Sequence, residues 1–212
     1  MNNSGYEQEG VIKFNLVFEQ CDAITPEMIQ DISPWREKLF ALKLIGQDPL
    51  LYEGLSYGNV SRRVGPGSEQ FVITGSQTSH LPVLYPNHYA LVTQSFIDEN
   101  KLIAKGQVKP SSEALTHSAF YYARPNINFV FHVHSAAIWS SARSLDIPVT
   151  SPTVEYGTPE MAEEIYRLFD SGVFDTQNIV AMGGHRDGVI AFGISANQAG
   201  QAIINMLELA SQ

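Results

Sequence analysis

Two histidines one residue apart close a β-favouring stretch, Phe129-Val130-Phe131-His132-Val133-His134, and that spacing suits a metal ion. On a strand, alternate side chains point the same way, so Val130, His132 and His134 share a face. The two histidine Cα atoms then lie roughly 6.5–7 Å apart. Imidazoles at that separation can converge on one ion at about 2.0–2.1 Å per Zn–N bond. The plainer alternative is a polar strand end with both rings in water, and a lone His-x-His favours it. The neighbours reverse that preference: Pro110-Ser111-Ser112-Glu113 precedes the pair, and the glycine-flanked turn Gly183-Gly184-His185 follows it. Three imidazoles and Glu113 would make a mononuclear site for a borderline metal such as Zn²⁺. Neutral ligands leave the ion its full charge, available as a Lewis acid for a substrate carbonyl or hydroxyl. Glu113, near a helix start, reads as a fourth ligand, as a general base, or as a solvated carboxylate favoured by the helix dipole.

Small-residue loops accompany these ligands. Ser56-Tyr57-Gly58-Asn59 and Thr74-Gly75-Ser76 each read as a plain turn when taken alone. With Ser111-Ser112 they form a set of hydroxyl, amide and backbone N–H donors that suits an oxyanion or phosphate.

The elements that must position these residues follow from the pattern. Val11–Glu19 alternates as a strand whose apolar face is Ile12, Phe14, Leu16 and Phe18, and residues 1–10 read as a disordered lead-in. Thr25-Pro26 starts a short helix to about Ile32, and Ser33-Pro34 starts another that Gly46 closes. Phe71–Thr74 is a strand, and Tyr89–Gln94 and Ser95–Ile103 read as strands at the sheet edge. Ser112 is placed as N-cap of a helix over Glu113–Arg124 with Leu115, Ala119 and Tyr122 on its core face. His117 sits one turn after Glu113 and reads as a helix histidine bonded to backbone. Ala136–Ala142, a helix from Thr158 and a final helix from Ser195 alternate with strands at Asn178–Met182 and Val189–Phe192.

Composition bounds the partners. The chain has 212 residues, 44% hydrophobic and 17% charged, with a net charge of −9 and an isoelectric point of about 5.0. That length suits one domain over 1–212, with no linker or repeat dividing it. The acidity argues against nucleic acid or an anionic membrane as partner. A single cysteine, Cys21, forbids an internal disulfide and fits a reducing compartment. The first residues carry no secretory signal pattern and no run is long enough to span a bilayer, so a cytoplasmic location is expected.

The ordered set of motifs resembles the class II aldolase/adducin family. The pieces are Gly58-Asn59-Val60-Ser61, Ile73-Thr74-Gly75, Pro110-Ser111-Ser112-Glu113, Tyr121 to Pro125, Val130 to Ser135 and Gly184-His185. The resemblance runs from about Tyr57 to Ala199. It implies a three-layer α/β/α sandwich around a mixed, largely antiparallel sheet, assembled as a homotetramer. It also implies one divalent metal per chain, usually zinc, on His132, His134 and His185. Substrate or phosphate would lie at Gly58, Asn59, Thr74, Gly75, Ser76, Ser111 and Ser112, with Glu113 catalytic. The implied activity is lyase cleavage of a small hydroxy-carbonyl compound, such as a sugar phosphate, through a metal-stabilised enediolate. A sugar-phosphate epimerase or dehydratase and a non-catalytic adducin-like module are the alternatives. Epimerases usually carry Asp at the Glu113 position, which favours the aldolase branch, while Thr116-His117 and Ile138-Trp139 resemble the epimerases. Arg186-Asp187 departs from the family, where glycine directly follows the third histidine. No clear match to the aldolases' mid-chain catalytic tyrosine stands in the chain, and Glu155 or Tyr156 is the nearest candidate.

Overall fold

Alternating apolar residues along β8 (Phe129–His134) decide the architecture. Phe129, Phe131 and Val133 point into one hydrophobic cluster and Val130 into another on the opposite face. A strand buried on both faces needs layers on both sides. The computed structural model, which describes residues 9–212, supplies them.

The eight-stranded sheet comprises β1 (Asn15–Gln20), β4 (Asn59–Arg63), β5 (Phe71–Thr74), β6 (Tyr89–Phe96), β7 (Lys101–Gly106), β8, β9 (Ile179–Ala181) and β10 (Gly188–Gly193), in the order β1-β7-β6-β5-β4-β8-β10-β9. Every neighbouring pair is antiparallel except β1 with β7. Short β2 (Gly46–Gln47) and β3 (Ser56–Tyr57) form a separate ribbon. On one face lie α2 (Ala114–Ala123) and α4 (Pro159–Asp170), burying Leu115, Ala119, Ile165 and Leu168 with Phe71 and Val130. On the other lie α1 (Ser33–Ala41), α3 (Ala136–Ser141) and α5 (Ala196–Ala210), burying Leu39, Ile138 and Ile203 with Phe131 and Val189. The result is a mixed, mostly antiparallel α/β/α sandwich.

Several local expectations differ. The N-terminal strand runs over Asn15–Gln20, not Val11–Glu19. Its apolar set still packs inward, with Phe14 buried and Ile12, Leu16 and Phe18 against the α2/α4 cluster. Residues 1–8 lie outside the described residues, whereas Glu9 and Gly10 are placed in a turn, with Glu9 buried. Because β1 joins β7, the β6–β7 hairpin is interior rather than at an edge, and it turns at residues 97–100. The segment after Thr25 is one 3₁₀ turn, Pro26–Met28. Helix α1 stops at Ala41, where Lys43 takes a positive φ, and Gly46 lies in β2. Tyr122 is 41% exposed, off the core face of α2.

Two buried arginines fix the elements that carry the site. Arg63 donates to the carbonyls of Tyr121 and Arg124 at 2.8 and 3.2 Å, satisfying the open C-terminal end of α2. Arg36 donates to the carbonyls of Ser79 and Pro82 at 2.9 and 2.8 Å and anchors the loop after β5. Ser79 Oγ in turn donates to Gly58 O at 2.7 Å, tying that loop to the turn before β4.

Candidate metal centre

The period of β8 turns His132 and His134 to the α2 side of the sheet. Strand β4 places Asn59 beside His132, and β10 places Gly188 opposite His134. The chain between β9 and β10 then brings in His185, also buried. The ring centroids of His132, His134 and His185 are 4.9, 5.4 and 4.9 Å apart, and their ligating nitrogens all lie within 4.8 Å of one another. Nε2 of His134 is 3.1 Å from Nε2 of His185.

Glu113 completes one side. Its Oε1 lies 2.9 Å from His132 Nε2 and 4.0 Å from His185 Nε2, and it accepts from Asn59 Nδ2 at 3.4 Å. Despite the short distance, His132 Nε2 has no aligned hydrogen-bond partner among the described residues, and Glu113 Oε2 has none either. A buried polar atom without a partner is costly. A divalent ion reached by Nε2 of all three histidines, with the Glu113 carboxylate in range, would satisfy that need, and the donor set fits one.

Ser112 is not the N-cap of α2. Glu113 holds the capping position without a side-chain cap bond, because its carboxylate turns inward to the histidines. Ser111 Oγ accepts from Glu113 N at 3.3 Å instead. Burial alone would push the Glu113 carboxyl up. His132 overrides it by charge and contact, with His185 and His117 adding, and the group is held at about 2. Burial lowers His134 well below the ordinary histidine range, and the other two imidazoles reinforce it, so His134 is neutral as a metal ligand must be.

His117 is bonded to a side chain rather than to backbone. Its Nδ1 lies 2.7 Å from Ser61 Oγ, which lies 2.7 Å from Tyr121 Oη. Burial lowers it to about 3, against the Glu113 charge and with that of His132. The folded protein therefore keeps His117 neutral while the unfolded chain protonates it near 6.5. Stability from this group is present above about pH 6.5 and lost as pH falls toward about 3. In metal-free protein, urea unfolding at about pH 7, 5 and 4 should show that loss, and His117→Gln should flatten the slope by up to about 1.4 kcal/mol per pH unit.

The donor loops meet the same site. Gly58, Asn59, Gly75, Ser76, Ser111 and Ser112 line a small cavity with Glu113. Thr74 does not, because its hydroxyl accepts from Val60 N at 3.2 Å inside the sheet. The backbone N–H groups of Gly75, Ser76 and Ser111 already donate to His88, Lys109 and Thr74 carbonyls. Those three N–H groups are therefore spent, and the hydroxyls and the Asn59 amide are among the donors an anion would find there. A separate concavity of about 680 Å³ is lined by Trp139, Arg143, Pro152 and Arg167 and contains none of the three histidines.

Of the two further acid/base candidates, Tyr156 packs its ring 4.8 Å from that of His185. Burial, then the charge of Glu113, pushes its phenol above the ordinary range. Glu155 faces outward and pairs with Lys13 at 3.0 Å.

Three residues at the site went unnoticed in the sequence. Tyr52 stacks edge-on to His134 at 4.5 Å and donates to Asp187 Oδ2 at 2.8 Å. Asp187, from the Arg186-Asp187 departure, is buried, takes φ +63° and accepts Ser135 N on its carbonyl. That departure was the available signal for Asp187; Tyr52 lies outside every motif. The third is Glu9, whose Oε1 lies 3.0 Å from His185 Nε2 and 3.2 Å from His134 Nε2. Tyr52, Gln77 and Asp187 have positive φ without being glycine, as do Lys43, Glu53, Asn100 and Asp146, so this conformation is not confined to the site.

Residues 51–212 match the family described as Class II Aldolase and Adducin N-terminal domain, most of the chain. The chain belongs to that family. Among solved structures, an L-fuculose 1-phosphate aldolase superposes with a TM-score of 0.64 at 18% identity, covering 90% of this chain and 85% of that one. The L-fuculose-1-phosphate aldolase of Thermus thermophilus gives 0.63 at 18%, covering 88% and 92%. A sugar-phosphate aldolase from Thermotoga maritima gives 0.65 at 16%, covering 87% and 92%. At these identities the likeness is one of fold. No curated protein matches the chain. No helix among the described residues is long and apolar enough to cross a membrane.

Within the class II aldolase/adducin sandwich, Gly188 is packed directly against two of the three histidines of the candidate centre. A Cβ there would meet His185 Cδ2 at 2.5 Å and His132 Cε1 at 3.2 Å. Gly188→Ala should therefore displace both rings, cost about 1–3 kcal/mol by overpacking and weaken zinc uptake. Thermal unfolding with and without zinc measures both.

Proposed function

We propose that the protein is a metal-dependent aldolase-type lyase acting on a small hydroxy-carbonyl compound such as a sugar phosphate. The observation that carries this reading is the convergence of His132, His134 and His185 around the buried, ionised carboxylate of Glu113. The three histidines would hold one divalent ion, with zinc the first candidate for this donor set. When bound, that ion supplies Lewis acidity that offsets negative charge developing on a substrate oxygen.

The chain's own groups do the rest. Glu113 moves the proton. Gly58, Asn59, Gly75, Ser76, Ser111 and Ser112 face the substrate or its phosphate, and Thr74 supports them from the strand. Tyr156, whose ring lies beside that of His185 and whose hydroxyl donates to Val11 O, is the candidate to hand a proton to a leaving group. Retention of all three histidines and of Glu113 favours the catalytic reading over an adducin-like module in which such ligands are not kept.

Elemental analysis of protein purified without chelator, and after zinc addition, tests the metal. A screen of sugar phosphates for aldehyde release tests the activity. Protein that stays zinc-free through both treatments overturns the reading. We propose a homotetramer by analogy with the family, and sedimentation at micromolar concentration should show a species of four chains.

A further inference from the structure

Glu9 lies outside the residues that match the family, yet it reaches the centre of the site. The triangle formed by its Oε1 and the Nε2 atoms of His134 and His185 has edges of 3.2, 3.0 and 3.1 Å. Two ligand atoms each about 2.0–2.1 Å from a shared ion stand roughly 2.8–3.4 Å apart at octahedral or tetrahedral angles. All three edges fall within that range. A carboxylate is moreover an ordinary partner for imidazole around zinc.

The chain leading from Glu9 is held in place by named contacts. Gly10 takes φ +71° and passes so close to Gln77 that a Cβ would meet its Nε2 at 2.1 Å. Val11 N–H donates to Tyr156 Oη at 3.1 Å, and Lys13 Nζ pairs with Glu155 at 3.0 Å and lies 4.0 Å over the Tyr156 ring. The arm thus runs between the loop after β5 and Tyr156, across the mouth of the site. With it in place, the cavity bounded by Glu9, Asn59, Ser76, Ser111 and Glu113 measures about 20 Å³, room for about one water and not for a sugar. These contacts, with Tyr156 Oη also donating back to Val11 O at 3.3 Å, are hydrogen bonds and a partly exposed ion pair, each individually weak and reversible.

We propose that Glu9 is a metal ligand carried on a retractable arm: its carboxylate completes the centre in the resting protein and must leave before an oxygen ligand from substrate can enter. The inference rests on the metal reading above and adds a resident competitor to it. Two probes separate them. Zinc affinity, measured by competition with a chromogenic chelator, should fall about tenfold or more in Glu9→Gln and Glu9→Ala, since loss of even an outer partner costs about 10–100-fold. Acetohydroxamate, a bidentate oxygen donor, should by contrast bind the cobalt-substituted variants at least tenfold more tightly than the parent, read from the visible cobalt absorption. A parent that binds zinc, with variants equal to it in both measurements, overturns the Glu9 assignment and leaves the three-histidine centre standing. A parent that binds no zinc overturns both.

Discussion

His132→Ala should give a folded protein that no longer takes up zinc at micromolar concentration. The ring is fully buried, with Asn59 beside it on β4 and Ile190 on β10. Neither of its nitrogens has an aligned hydrogen-bond partner among the described residues. Truncation removes two desolvated nitrogens, but it also takes away the group 2.9 Å from Glu113 Oε1 that holds that buried carboxylate ionised, and it leaves a cavity behind. The metal-free variant should be less stable than the parent by about 3–5 kcal/mol, the usual cost of stranding one member of a buried pair. Zinc binding is another matter, because one of the three proposed imidazole ligands is gone. Loss of an outer partner alone costs about 10–100-fold, and loss of a ligand should exceed that. The two effects separate in one experiment. Zinc at about 100 times its dissociation constant stabilises a folded protein by about 2.7 kcal/mol, so the parent's melting temperature should rise on zinc addition and the variant's should not. A variant that retains full zinc occupancy would show that His132 serves packing and that the ion, if any, is held elsewhere.

How legible this centre was depends on distance along the chain. His132 and His134 could be placed on one face from strand period alone, since alternation is a local property and β8 obeys it. Bringing His185 to them required only that a glycine-flanked turn precede a strand pairing with β8, and β10 does so. Glu113 could be placed at the start of α2, but the direction of its carboxylate could not. The dipole of a helix start favours a solvated acid as readily as a buried one, and the choice was made by the histidines across the sheet. His117 shows the same limit: its partner, Ser61, is 56 residues away on β4, and no spacing encodes that contact.

The sheet's interior was legible and its rim was not. β5 and β10 carry short apolar runs, and β8 a β-favouring run that ends in its two histidines. Val11–Glu19 alternates too, but the pairing with β7 begins only at Asn15; before it Ile12 and Phe14 pack on the core, while Val11 and Lys13 make contacts to Tyr156 and Glu155. Glu9 is the sharpest case. A polar, glycine-bearing segment reads as a lead-in because no periodic pattern marks a residue whose contacts are a distant pair of imidazoles. Thr74 erred in the opposite direction: its motif is present, but its hydroxyl serves Val60 N within the sheet rather than the cavity.

Glu113→Gln should keep the fold and most of the zinc, and lose about 10²–10⁴-fold in turnover, the usual worth of a positioned proton transfer. Carbon–carbon cleavage beside a carbonyl leaves an electron pair on carbon, and that carbon must then be protonated. His132, His134 and His185 are turned toward one another, so their Nε2 atoms are committed to the centre. Glu113 has the remaining capacity. Its Oε1 faces His132 and Asn59, while Oε2 is buried and has no partner among the described residues. One oxygen can thus be held while the other takes and returns a proton, and in a site this dry that oxygen is not shared with solvent. Glutamine keeps the shape and an acceptor oxygen facing His132, but its amide cannot carry the proton. Exchange of the substrate's α-proton with solvent deuterium should therefore slow along with turnover, a readout that loss of a structural contact alone would leave in place. If Glu113→Gln binds zinc and exchanges that proton at the parent rate, the carboxylate only shapes the centre. The base would then be sought at Tyr156, whose ring lies 4.8 Å from that of His185, and not at Glu155, whose carboxylate is spent on Lys13 at the surface.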